Sequence, residues 1–201
     1  MVPVKTIEKL HSGKDVAIIG FGDSLTQGWM ARKGYLDFFG EMLGNKFPTS
    51  RVKIINRGVP GDSAAGGLHR LAWDVIDQDP DLVFVQFALN DAFMGVPLNI
   101  FHEQISSIVQ SIKNDTEAEP VLLTSVYIAD KDEYRYAQKY YDALQRVSSA
   151  EKIPLVAVHQ YWEQAVKNGV DHASLVQWDG VHPTVEGYRL MAEAVFSMFD
   201  S

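Results

Sequence analysis

A histidine with an aspartate three residues before it stands near the end of the chain, in Asp179-Gly180-Val181-His182-Pro183. In such a pair the carboxylate accepts from one ring nitrogen. That fixes the tautomer and leaves the other nitrogen to take a proton. Two intervening residues are few enough for a turn to set the pair locally. Pro183 biases His182 towards extended backbone and suits the first position of a following helix. The other histidines (His11, His69, His102, His159 and His172) have no comparable setting and read as packing or capping groups. A base needs a group to act on, and Gly20-Phe21-Gly22-Asp23-Ser24-Leu25-Thr26-Gln27-Gly28 offers one. Ser24 is presented at an expected helix N-terminus, where free backbone N–H groups can stabilise an oxyanion. A plain turn with Asp23 or Ser24 as N-cap accounts for the same residues. The segment alone does not separate the two. A second Gly-Asp-Ser, at Gly61-Asp62-Ser63, shows that the tripeptide is not diagnostic. Its glycine lets a ligand approach the backbone, but a turn capped by Asp62 or Ser63 explains it as well. In Ala88-Leu89-Asn90-Asp91, Asn90 can cap a helix or offer its amide to developing negative charge.

Other chemistries fit poorly. A dinucleotide fingerprint fails at Leu25, where its last glycine belongs, and Asn56-Arg57 stand where a ribose-binding acid is expected. A phosphate loop fails because Gly67 occupies the lysine position after Gly61 and Gly66. The G-x-S-x-G elbow fails at Thr26. Neither HExxH nor another histidine–acid spacing for metal occurs, and the absence of cysteine removes thiolate sites and disulfides.

The elements that must hold these residues alternate. Asp15–Gly20, Val52–Ile55, Leu82–Phe87, Val121–Val126 and Leu155–Val158 read as strands buried on both faces. Between them, 35–46, 65–76, 100–112, 133–151 and 185–199 carry apolar residues at helical spacing. The alternation predicts a parallel sheet between two helical layers, a three-layer α/β/α domain spanning 1–201. In open sheets of this kind the ligand crevice lies outside the carboxyl ends of the strands. Ser24, Gly61 and Asn90 all follow an expected strand.

Length and composition agree with one globular domain: 201 residues, 46% hydrophobic and 22% charged. The net charge of −8, without a clustered basic patch, speaks against a nucleic-acid partner. No apolar run is long enough to insert into a membrane, and the first residues do not read as a signal peptide. A cytoplasmic location is the expectation. A homo-oligomer is compatible with the sequence but not legible in it.

Taken together, four blocks between residues 20 and 183 resemble those of the SGNH hydrolases, the GDSL esterase/lipase family. Gly22-Asp23-Ser24-Leu25 is similar to the first block, Gly61 to the second, Asn90 to the third, and Asp179 with His182 to the last. The third block departs from the family pattern, with Ala88 in place of a glycine. The resemblance implies a flavodoxin-like sandwich of about five parallel strands and a serine esterase needing no metal or organic cofactor. Ser24 would be the nucleophile, His182 the base and Asp179 its orienter. The backbone N–H groups of Ser24 and Gly61 and the Asn90 amide would hold the oxyanion.

The partner would be a small-molecule acyl ester. Trp29, Phe93 and Met94 follow Ser24 and Asn90 closely and are expected to line the acyl pocket, with Ala88 and Tyr127 beside them. Tyr127, Tyr134, Tyr136, Tyr140 and Tyr141 could face a polar alcohol, but 134, 137, 141 and 144 share one helix face, so the helical reading is preferred. No long apolar lid is visible. Short acyl chains are expected, including O-acetyl groups on a polar or sugar alcohol. Lysophospholipase or thioesterase action on longer chains, and binding of acylated ligands without turnover, are the alternatives.

Overall fold

The computed structural model describes residues 1–200. In chain order it runs α1 (Val4–His11), β1 (Val16–Gly22), α2 (Ser24–Gln27), α3 (Tyr35–Lys46), β2 (Val52–Gly58) and α4 (Ala64–Asp74). Next come β3 (Leu82–Gln86), α5 (Leu89–Phe93), α6 (Leu98–Asp115), β4 (Glu119–Leu123) and α7 (Lys131–Glu151). β5 (Leu155–Val156), α8 (Val158–Lys167), α9 (His172–Leu175) and α10 (Val185–Phe196) complete it. The five strands form one all-parallel sheet in the order β2-β1-β3-β4-β5. α3, α8 and α10 pack together, as do α4, α6 and α7. The expected α/β/α sandwich is the observed one.

The interior explains the strand sequences. β1, β3 and most of β4 are buried, with Ile18, Ile19, Phe21, Val83, Phe84, Val121 and Leu122 fully removed from water. Strands covered by helices on both faces can be apolar throughout. β2 departs from expectation. It is an edge strand, half-buried at Val52, Ile54 and Ile55 and exposed at Lys53 and Asn56.

Boundaries shift elsewhere too. β4 starts at Glu119 and ends at Leu123; Thr124, just beyond it, still donates its N–H to the Val156 carbonyl, and its hydroxyl meets His159 Nδ1 at 2.8 Å. β5 stops at Val156, since Val158 begins α8, whose Val158 and Trp162 are buried one turn apart. α1 is a helix where none was expected, and α2, α5 and α9 are short helices outside the five helical stretches expected from apolar spacing.

Register brings the exits of three strands to one level. Gly22 pairs with Gly58 of β2 on one side and Gln86 of β3 on the other. The chain leaves β1 for β2, then returns past β1 to β3. The crevice between β1 and β3 is therefore the topological switch point, where open α/β sheets bind ligands. Gly58 allows α2 to settle against the end of β2. A Cβ there would run into the backbone of Gln27 and Asp23.

Candidate active site

Ser24 is the first residue of α2, and Asp23 is the cap before it. Asp23 has extended backbone, and its Oδ1 accepts from the Leu25 N–H at 2.9 Å. With the cap supplied by its neighbour, the Ser24 hydroxyl is free for other use. Its N–H, at the first helical position, has no acceptor one turn earlier in the helix. A four-residue helix is not stable by itself, and this one is tied down from outside. The Thr26 hydroxyl donates to Gln86 Oε1 at 2.7 Å, and the Asn56 amide donates to the carbonyls of Thr26 and Gln27.

His182 sits on a loop closed by an antiparallel bridge between Val176 and Pro183. Gln177 clamps that loop. Its N–H donates to the His182 carbonyl at 2.7 Å, and its amide donates to the carbonyls of Pro183 and Trp29. Gly180, at φ 74°, supplies the left-handed turn between Asp179 and His182. Asp179 Oδ1 accepts from the Val181 and His182 N–H groups at 3.0 and 2.9 Å, and Oδ2 lies 2.6 Å from His182 Nδ1. Burial pushes the Asp179 carboxyl up, but those two N–H groups and the imidazole together hold it below the ordinary carboxylate range. A carboxylate on Nδ1 places the ring proton there and leaves Nε2 as acceptor. Nε2 lies 2.9 Å from Ser24 Oγ. The Trp29 ring packs on His182 at 4.6 Å between centroids.

Two more loops arrive at the same place. Asn90, in α5, donates from its amide to the Asp62 carbonyl at 2.8 Å. That uses one of the two amide hydrogens and leaves the other for the cavity that Asn90 lines. Asp91 grips the same loop, its carboxylate accepting from the Ala64 N–H at 3.1 and 3.2 Å. Gly61 immediately precedes Asp62, on the exposed side of the loop. Ser63 is the cap of α4, its hydroxyl accepting from the Gly66 N–H at 3.4 Å.

A cavity of about 160 Å³ opens here, lined by Asp23, Ser24, Leu25, Leu89, Asn90, Phe93, Asp179, Val181 and His182. Of the residues expected to line an acyl pocket, Phe93 does so. Trp29 stands behind His182 instead. Ala88 does not line the cavity: it is 1% exposed, with its methyl in the core. Its φ of 179° is extended backbone that any residue adopts, so the turn needs no glycine. Met94 points to solvent at the end of α5, and Tyr127 packs against Tyr134 and His172. The remaining apolar walls are Leu25, Leu89 and Val181. Each is the chain neighbour of a polar candidate, and that adjacency was the available signal.

Two of the tyrosines of α7 are structural. Tyr140 and Tyr141 are buried, donating to the carbonyls of Val96 and Val126. A larger groove of about 350 Å³ beside β5, between α8 and α10, has no acid, base or histidine in its lining. Among the described residues, no group of three or more His, Asp or Glu could hold a metal ion.

Residues 21–190 match the GDSL-like lipase/acylhydrolase family. The chain is 25% identical to an acetylxylan esterase of Geobacillus stearothermophilus, over 92% of this chain and 94% of that protein. It is 25% identical to an arylesterase of Vibrio mimicus, over 72% and 68% respectively. The esterase TesA of Pseudomonas aeruginosa is 24% identical over 92% and 87%. The crystal structure of Axe2, an acetylxylan esterase from G. stearothermophilus, superposes with a TM-score of 0.83 at 21% identity, covering 92% of this chain and 94% of that one. LAE5, an α/β hydrolase enzyme from the metagenome of Lake Arreo, gives 0.82 at 20% over the same shares.

Proposed function

The chain belongs to the GDSL-like lipase/acylhydrolase family, and from that premise we propose how it works as a carboxylic ester hydrolase. Ser24 Oγ attacks the ester carbonyl while His182 Nε2 takes its proton. Asp179 orients the imidazole and stabilises the imidazolium. The alkoxide of the tetrahedral intermediate is held by the N–H groups of Ser24 and Gly61 and by the free amide hydrogen of Asn90. Its collapse passes the proton from His182 to the leaving alcohol and leaves an acyl group on Ser24. Water then attacks that ester by the same route and restores the serine. The observation that carries this reading is the hydroxyl–imidazole–carboxylate chain, at 2.9 and 2.6 Å, facing a cavity beside Asn90.

The cavity also supports a substrate class. A space of about 160 Å³ walled by Leu25, Leu89, Phe93 and Val181 suits an acetyl or other short acyl group. The relative named as an acetylxylan esterase favours the same side. We place O-acyl esters of polar alcohols, sugars included, ahead of lysophospholipids and long-chain thioesters. The whole of 1–201 is taken as one hydrolase domain acting on a small molecule. The test is a chain-length series of esters of one alcohol. Turnover should be fastest at acetyl to butyryl, and faster hydrolysis of the decanoyl ester would reverse the assignment.

A further inference from the structure

Arg70 takes no part in the chemistry above, yet it touches three of the segments that carry it. It projects from α4 into the interior, its side chain 11% exposed. Nη2 donates to the Gly22 carbonyl at 2.9 Å, two residues before Ser24. Nη1 donates at 2.9 Å to the Arg57 carbonyl, near the end of β2, and at 2.7 Å to Asp74, one turn along α4. Nε donates at 2.8 Å to Asp62 Oδ2, in the loop after β2. The guanidinium lies 4.3 Å from the centre of the Phe21 ring, in β1. Through Asp62 the frame reaches α5, because the Asp62 carbonyl accepts the Asn90 amide.

The choice of side chain is informative. A guanidinium is planar, with donors in a fixed fork, whereas an ammonium is a point charge on a flexible stem. Only the fork can tie the three segments to one rigid plane. A buried ion pair gives little net stability compared with well-packed apolar residues. Its value here is geometric. Oxyanion donors stabilise a transition state only when they are already aimed at the developing charge, and misplacement of about 1 Å can cost roughly a hundredfold in rate.

We propose that Arg70 is a positioning residue that sets the turn before Ser24, the end of β2 and the Gly61–Asp62 loop in one register. It thereby aims the Ser24 and Gly61 N–H groups and the Asn90 amide at a single point. The proposal rests on the assignment of those donors above.

The test is Arg70→Lys and Arg70→Met, with kinetics on an acetyl ester normalised to the sites that a fluorophosphonate labels at completion. Donors that matter in the transition state act on kcat, so Arg70→Lys should lower kcat about tenfold or more with KM changed less than about threefold. Combined with Asn90→Ala, the double variant should lose less than the product of the two single losses, because both act on one set of donors. A purely structural role predicts wild-type kcat per labelled site, or losses that multiply fully. Either result overturns the proposal. If neither Arg70 variant folds, Asp62→Ala replaces them. It removes the carboxylate that accepts from Nε and keeps the loop backbone, and wild-type kcat there overturns the proposal too. A wild-type chain that neither hydrolyses the ester nor labels at Ser24 would sink the functional reading with it. Active wild type beside fully active Arg70→Lys would sink the positioning role alone.

Discussion

Ser24 and Ser63 carry the same Gly-Asp-Ser tripeptide and take opposite places on their helices. Ser63 is itself a cap, while Ser24 follows a cap and keeps its hydroxyl for His182. Ser24→Ala should abolish turnover without unfolding the protein. Ser63→Ala should keep turnover and cost about 1 kcal/mol of stability, the usual worth of a serine cap. A dead Ser63 variant beside an active Ser24 variant would contradict the assignment. Asn90→Ala should lower kcat by about 10²–10³, as loss of one oxyanion donor does. Asp23 gives a pH prediction. It is fully buried, and burial, opposed by the Leu25 N–H and reinforced by Asp91 and Asp62, pushes its carboxyl up to about 7. The folded chain therefore holds this proton more tightly than the unfolded chain. The stability it contributes is full below about pH 4 and is lost as pH rises through about 7. Asp23→Asn keeps the acceptor for Leu25 and has no proton to lose. The Tm of Asp23→Asn relative to wild type should therefore rise between pH 5 and pH 8, and an unchanged difference would show that Asp23 is ionised throughout. The polar residues brought together here were legible because each lies in a short motif at a strand exit. Gln177, Asn56 and Gln86, which hold them in place, were not. Their partners lie up to 148 residues away, and only the folded chain brings them near.

At the scale of elements, α1 makes the same point. Its sequence has no side-chain N-cap. The cap comes from Glu119 of β4, which accepts from the N–H groups of Lys5 and Thr6 and from the Thr6 hydroxyl. Glu119→Ala should lower stability by about 1–2 kcal/mol, by loss of the cap and of a buried hydroxyl's partner. Ester turnover should be unchanged, because α1 lies at the opposite end of the sheet from Ser24. Lost activity at full stability would mean that α1 and the site are coupled in a way the packing does not suggest. α5 was not legible as a helix, and α2 only as a helix start at Ser24, because each is a single turn held by tertiary bonds. α3 and α7 were legible because 12 and 21 residues give a helical period room to show. β5 and α8 were confused at Val158, since an apolar residue after a strand looks the same whether it ends the strand or opens a helix.

At the scale of the whole molecule, alternating strand and helix patterns were enough for the layers and the parallel sheet. They could not give the order β2-β1-β3-β4-β5, nor show that β2 is an edge. That order matters for function, because it puts the reversal beside β1 and gathers three loops over one crevice. With the core continuous from β1 to β5, urea denaturation should show one cooperative transition, with far-UV and tryptophan signals coinciding. Two separate midpoints would contradict the one-domain reading of 1–201. No helix among the described residues is long and apolar enough to cross a membrane. On the proposed mechanism, folding makes Ser24 an activated nucleophile. The most direct measurement is labelling with a fluorophosphonate, which needs both a nucleophilic serine and an oxyanion site, followed by mass spectrometry of the adduct. A single adduct on Ser24, lost in His182→Ala and kept in Ser63→Ala, is the predicted result. An adduct on Ser63, or none on a folded chain, would contradict it.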